Sequence, residues 1–164
     1  MFRKFVFNSS QILRKLGLGF DGKSNPSVIR MLEEIKQIGG AIKFKFAADE
    51  AMAIFATPHG AAATALKLQS QIVALLATHD LGAGVGIHTG NVVEGLLGSA
   101  GVKFYDVIGD TVNTAKRIES NAGKGEVWIS EFTKNALKDE VKVGEPREIT
   151  VKGKEGMLRV YPIH

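Results

Sequence analysis

An amide and a guanidinium stand four residues apart in the second half of the chain, at Asn113 and Arg117. Ala115 and Ile118 recur around them at helical spacing, which predicts a helix with one apolar face. Because residues four apart on a helix are surface neighbours, the two polar groups share one side of it. Asp106 precedes them at the end of an apolar run. A carboxylate, an amide and a guanidinium combined in this way suit a phosphorylated ligand.

A strand and a turn must position these groups. Val107 and Ile108 end an apolar strand, and Gly109 permits a tight turn into the helix. We expect Asp110 or Thr111 to cap the start of that helix, since both side chains carry oxygen acceptors.

The rest of the chain predicts alternating strands and helices. A helix is expected to open at 24–26 and another at 57–58, and a short one follows near 131–137. Strands are predicted at 2–7, 41–47, 51–55, 82–88, 92–97 and 127–129, with 89–91 as a turn and a final hairpin through 151–161. The order strand, helix, two strands, helix, strand is ferredoxin-like. We therefore predict a single α+β domain over 1–164, with a βαββαβ core, a mostly antiparallel sheet and a C-terminal extension of helix, strand and hairpin.

Composition narrows the function classes. The 164 residues are 45% hydrophobic and 23% charged and include no cysteine, which excludes disulfides and thiolate metal or redox sites. The net charge of +4 and pI of about 9.3 come from lysines and arginines interleaved with acids. That scatter favours a solvated surface over a nucleic-acid site. Apolar runs fall short of the roughly 20 residues that a spanning helix needs, so we expect a cytoplasmic domain without a membrane segment.

Residues 105–117, YDVIGDTVNTAKR, closely resemble a signature of the class III nucleotide cyclase catalytic domain, the family of most adenylate and guanylate cyclases. Residues 45–55, KFAADEAMAIF, are similar to the family's Lys-Phe-x-Gly-Asp hairpin. Residues 85–90, VGIHTG, and 151–154, VKGK, are similar to two further family segments. The resemblance is good over about 35–161 and poor before residue 22.

The resemblance implies a lyase that converts ATP to 3′,5′-cyclic AMP and pyrophosphate, with Mg²⁺ or Mn²⁺ as cofactor. It further implies that the active site lies at the interface of a homodimer or heterodimer. It also implies ATP over GTP, because a carboxylate accepts a hydrogen bond from the adenine amine, whereas guanine presents a carbonyl there. The implied roles are purine reading by Lys45 and Asp106, metal binding by Asp49, ribose orientation by Asn113, transition-state stabilisation by Arg117 and phosphate contact by Lys152.

One expected metal ligand is missing. Family members end their first strand with an aspartate, and here either Asn8 or Ser9 falls at that position, depending on one residue of register. Neither is a carboxylate. Three explanations follow: a degenerate domain that binds nucleotide or regulates a partner, one half of a heterodimer whose other half brings the metals, or a weak homodimeric enzyme. We favour cyclase chemistry, because the other six implied positions remain in register.

Overall fold

The computed structural model describes residues 3–9, 40–47, 50–76, 83–99, 101–138, 140–150 and 156–164. Their helices are α1 (Pro58–Leu76), α2 (Asp110–Asn121) and α3 (Glu131–Leu137). Their strands are β1 (Arg3–Ser9), β2 (Ala41–Ala47), β3 (Glu50–Phe55), β4 (Val85–Asn91), β5 (Val93–Ser99), β6 (Val102–Ile108), β7 (Val127–Ser130), β8 (Arg147–Thr150) and β9 (Met157–Ile163). Within these residues, no helix is long and apolar enough to cross a membrane.

Seven strands form one sheet in the order β2-β3-β1-β4-β7-β9-β8, and β5 and β6 form a separate hairpin. All neighbours in the large sheet are antiparallel except β4 and β7. The order β2-β3-β1-β4 is that of a ferredoxin-like core, and β7 to β9 extend it. The predicted α+β fold is therefore confirmed. The helix predicted after 24–26 lies outside the described residues.

The sheet carries apolar layers on both faces. On one face, α1 packs Ala61, Ala62, Ala65 and Leu68 against Phe55, Val85 and Ile87, all of them buried. On the other face, Met52 and Ile54 of β3 pack with Val107 of β6 and Ala115 of α2. We call these four residues the α2-side cluster. Strand residues alternate between faces, so β3 serves both layers.

Two local predictions were wrong. Residues 89–91 continue strand β4 instead of forming a turn, because Thr89 is buried and its hydroxyl lies 2.8 Å from that of Thr133, and β1 pairs with β4 as far as Asn91. Helix α2 begins after Gly109, whose φ of +146° favours glycine. The N-cap position is therefore Gly109, which has no side chain, and the Thr111 hydroxyl bonds to the Asn91 carbonyl instead.

A buried polar network joins β4 to the start of α3. The Ser130 hydroxyl caps α3 by accepting from the Thr133 N–H at 3.3 Å, and it lies 2.8 Å from Nδ1 of His88. We expect Ser130→Ala to lower the free energy of unfolding by about 1–3 kcal/mol, because it removes a cap and a buried partner. Urea denaturation measures the change. The matched control is Ser70→Ala, where an exposed hydroxyl bonds only within α1, and an equal loss there would contradict the assignment.

Candidate active site

Four positions lie in one row across the sheet. Met52 of β3 pairs with Lys45 of β2 on one side and with Asn8 of β1 on the other, and Asn8 also pairs with Gly86 of β4. Directly opposite residues of paired strands share a face of the sheet. Met52 belongs to the α2-side cluster, so this cross-sheet row belongs to the face that α2 covers. With strands about 4.8 Å apart, the positions of Lys45 and Asn8 are separated by roughly 10 Å.

The position of Ser9 belongs to the opposite face. Ser9 pairs with Ala51 of β3 and with Val85 of β4, both of which are buried. Val85 packs in the layer beneath α1. Asn8 and Ser9, the two candidate positions for the missing aspartate, therefore lie on opposite faces of the sheet: Asn8 on the face that α2 covers, and Ser9 on the face that α1 covers.

Strand β6 brings a carboxylate beside the α2-side cluster. Asp106 is half-buried, and its Oδ1 accepts a hydrogen bond of 2.8 Å from the N–H of Val107. Val107 is buried in the cluster next to Met52. Across the hairpin, Asp106 pairs with Gly95, and a Cβ at Gly95 would have no atom within 4 Å. The surface beside Asp106 is open there.

Helix α2 keeps Asn113 and Arg117 out of its set of buried residues. Its buried residues are Thr111, Thr114, Ala115, Ile118 and Glu119, whereas Asn113 is exposed and Arg117 is half-buried. Ala115, between those two, packs in the α2-side cluster. The helix thus holds its amide and guanidinium off the packed face, as the spacing predicts.

Glycines in and just before β4 let α2 approach the strand closely. A Cβ at Gly86 would lie 2.5 Å from the carbonyl oxygen of Ala115 and would also meet the N–H of Glu119. A Cβ at Gly84 would lie 2.8 Å from the carbonyl oxygen of Ala122, and one at Gly90 would meet the hydroxyl of Thr111. Only hydrogen atoms fit between the strand and the helix at these points.

Comparison with known proteins identifies the family. The family model for the adenylate and guanylate cyclase catalytic domain matches residues 10–164. The chain belongs to this family. The matched range starts just after β1.

Individual relatives include both kinds of cyclase. An adenylate cyclase of Mycobacterium tuberculosis is 43% identical over 77 residues, which are 47% of this chain and 17% of that protein. A guanylate cyclase beta of Plasmodium berghei is 41% identical over 78 residues, which are 47% of this chain and 2% of that protein. The cyclase domain therefore spans a small part of the length of the curated relatives it matches.

Solved structures share the fold over nearly the whole cyclase domain. The crystal structure of the adenylyl cyclase CyaB from P. aeruginosa superposes with a TM-score of 0.76, covering 99% of this chain and 93% of that one at 22% identity. At that identity the likeness concerns the fold alone.

The predicted site residues are described unevenly. Asp106, Asn113 and Arg117 are described with their side chains, Lys45, Asn8 and Ser9 are placed by strand register, and Asp49 and Lys152 lie outside the described residues. In the described part of the chain, no three His, Cys, Asp or Glu residues group as metal ligands. The cross-sheet row contains Asn8, one of the two positions at which the sequence predicts the missing aspartate.

Sequence reasoning missed the residues that hold the site together. Met52 packs with Val107 and Ala115, and Gly86 lies against the backbone of α2. Thr111, which we expected to cap α2, instead bonds to the Asn91 carbonyl. A signal was present in the alternate glycines at 84 and 86 of a predicted strand, since glycine inside a strand marks close approach of another backbone.

Proposed function

We propose that the chain catalyses the conversion of ATP to 3′,5′-cyclic AMP and pyrophosphate at an interface between two cyclase domains. The α2-side cluster carries the proposal, because its four residues join the three segments that bear the implied groups. Met52 belongs to β3, which pairs with the strand of Lys45, Val107 adjoins Asp106, and Ala115 lies between Asn113 and Arg117. Family membership supports cyclase chemistry in general.

Base selection rests on Lys45 and Asp106. Oδ1 of Asp106 accepts a hydrogen bond from the Val107 N–H, and an ionised carboxylate has two oxygens with about four acceptor sites between them. An acceptor suits the exocyclic amine of adenine, and the open surface at Gly95 leaves room for a purine. Since the relatives include adenylate and guanylate cyclases, this local chemistry is the argument for ATP.

Helix α2 supplies the chemistry at the phosphates. Asn113 orients the ribose so that its 3′ oxygen faces the α-phosphorus. As the bond from that oxygen to phosphorus forms, the bond from phosphorus to the bridging oxygen breaks, the hydroxyl proton is released and pyrophosphate leaves. The guanidinium of Arg117 stabilises the charge that develops on the phosphate oxygens.

The expected divalent-metal site has one carboxylate ligand fewer than the family pattern. Cyclase domains of this family generally use divalent cations, and Mg²⁺ or Mn²⁺ takes oxygen ligands such as carboxylates, amides and nucleotide phosphates. Asp49, with the amide of Asn8 and the phosphates of ATP, would hold the cation. Bound there, it would neutralise charge on the departing pyrophosphate.

The β5–β6 hairpin supports assembly of two domains. One of its faces exposes large apolar side chains, those of Val93, Val102, Phe104 (56% accessible) and Ile108, and Leu96, 68% accessible, belongs to the other face. Exposed apolar patches of this kind mark interaction sites. The partner is a second copy or another cyclase domain.

Cyclic AMP formation by the purified chain with ATP and Mn²⁺ tests the proposal, with GTP in parallel. We expect slow turnover that Asn8→Asp raises about 100-fold, because that variant restores a carboxylate on the α2 face. Ser9→Asp is the matched control, since its position lies toward the buried layer under α1; we expect no gain and lower stability there. Activation by Ser9→Asp alone would overturn the register argument.

A second function is supported by the missing carboxylate itself. A domain that binds nucleotide or complements a partner cyclase needs Lys45 and Asp106 but not two metal aspartates. If the unmodified chain and both variants form no cyclic nucleotide while ATP binding persists in calorimetry, this function replaces the first.

A further inference from the structure

The Thr111 side chain ties the beginning of α2 to the end of β4. Thr111 is 5% exposed, and its hydroxyl donates a hydrogen bond of 2.6 Å to the backbone carbonyl of Asn91. This contact spans 20 residues of sequence. It uses a side chain in the first turn of the helix, where a cap would normally stand.

The hydrogen bond from Thr111 differs from the backbone bonds of the first turn. The N–H groups of Val112 and Asn113 donate to the Gly109 carbonyl, so these bonds stay within the turn. The Thr111 hydroxyl instead bonds to the end of β4, so it links the helix to the sheet.

The neighbouring strand is shaped to receive this hydroxyl. Gly90 precedes Asn91, and a Cβ at Gly90 would collide with Thr111 Oγ1. Because Gly90 has no side chain, Thr111 can contact the backbone of β4 directly. Next to this point, Val92 packs against the α2-side cluster, so the tether and the cluster are continuous.

We propose that Thr111 is a positioning residue that sets the placement of Asn113 and Arg117 relative to the sheet. Asn113 is two residues beyond the tether, and Arg117 is one further turn along. A rigid helix transmits a shift at its first turn to both side chains. Misplacement by about 1 Å can cost a catalytic group roughly 100-fold in rate. This inference rests on the proposed function for its catalytic consequence and not for the tether itself.

The first readout does not depend on activity. Hydrogen exchange in the full chain is compared for the unmodified protein, Thr111→Val, Thr111→Ser and Ser120→Ala, following the amides of 110–117. We expect exchange about fivefold to tenfold faster in Thr111→Val, because the hydroxyl is lost, and within about threefold of normal in Thr111→Ser. Ser120→Ala is the matched control, since that hydroxyl bonds to Lys116 within the same helix. Unchanged exchange in Thr111→Val would overturn the proposal.

The second readout is kinetic and uses the unmodified and Asn8→Asp backgrounds. We expect Thr111→Val to lower kcat about 10- to 100-fold with KM for ATP changed less than about threefold, and Thr111→Ser to restore kcat. Equal kcat in the Val and Ser variants contradicts a positioning role. If both backgrounds are inactive, the proposed function fails. The hydrogen-exchange experiment alone then tests whether Thr111 fixes the start of α2 to β4. Thr111→Ala replaces Thr111→Val if the latter does not fold.

Discussion

Replacing Arg117 with alanine is expected to lower kcat about 1,000-fold while ATP affinity changes less than about threefold. The guanidinium lies on the outward side of α2 and is half-buried, so its removal opens no cavity in the packed layers. We expect the guanidinium to interact with negative charge that develops only as the phosphorus–oxygen bond breaks. Its loss should therefore lower kcat without changing the affinity for ATP. Turnover is followed as cyclic AMP formation in the most active background, and affinity by calorimetry with a non-hydrolysable ATP analogue.

Two further variants separate this role from general electrostatics. Lys124→Ala removes the same unit of charge from an exposed position just beyond α2, and we expect it to leave kcat within about twofold. Arg117→Lys keeps the charge but loses the planar fork of donors, so only partial recovery is expected. A parallel loss of kcat and affinity in Arg117→Ala would assign Arg117 to substrate binding instead.

Strong local patterns allowed much of the fold to be predicted from the sequence. Alternation in 41–47 and the helical spacing of Ala115 and Ile118 each depend on one amphipathic face, and the strand and the helix form as predicted. The prediction of a turn at 89–91 failed because tertiary contacts determine the backbone conformation there. Thr89, Gly90 and Asn91 have turn composition, yet pairing with β1 and the buried hydroxyl of Thr133 keep them in a strand.

The candidate site divides in the same way. Residue types and motif spacing singled out Asp106, Asn113 and Arg117, whereas the choice between Asn8 and Ser9 depended on strand register. Register is a long-range property, and a slip of one residue exchanges the two faces of a sheet. The pairing of Asn8 with Met52 and Gly86 is therefore the information that the structure adds to the sequence.

Close packing of α2 on β4 leads to the largest expected effect on stability. In Gly86→Ala, the new methyl group would lie 2.5 Å from the Ala115 carbonyl oxygen and would also meet the Glu119 N–H. Both contacts are to backbone, which cannot move aside as a flexible side chain can. Relief requires α2 to separate from the sheet, so we expect a loss of more than about 3 kcal/mol in the free energy of unfolding, or no folded protein.

The single tryptophan makes this measurement direct. Trp128 is 5% exposed and packs with Ile118 of α2, so its fluorescence during urea denaturation reports on the helix as well as on the sheet. Gly95→Ala is the matched control, because a methyl group on that strand glycine would have no atom within 4 Å; we expect a change below about 0.5 kcal/mol. If Gly86→Ala is as stable as Gly95→Ala, α2 does not lie against β4 at backbone distance, and the placement of Asn113 and Arg117 derived from that contact is wrong. A large loss of unfolding free energy in Gly86→Ala alone supports the close contact between α2 and β4 on which the placement of Asn113 and Arg117 depends.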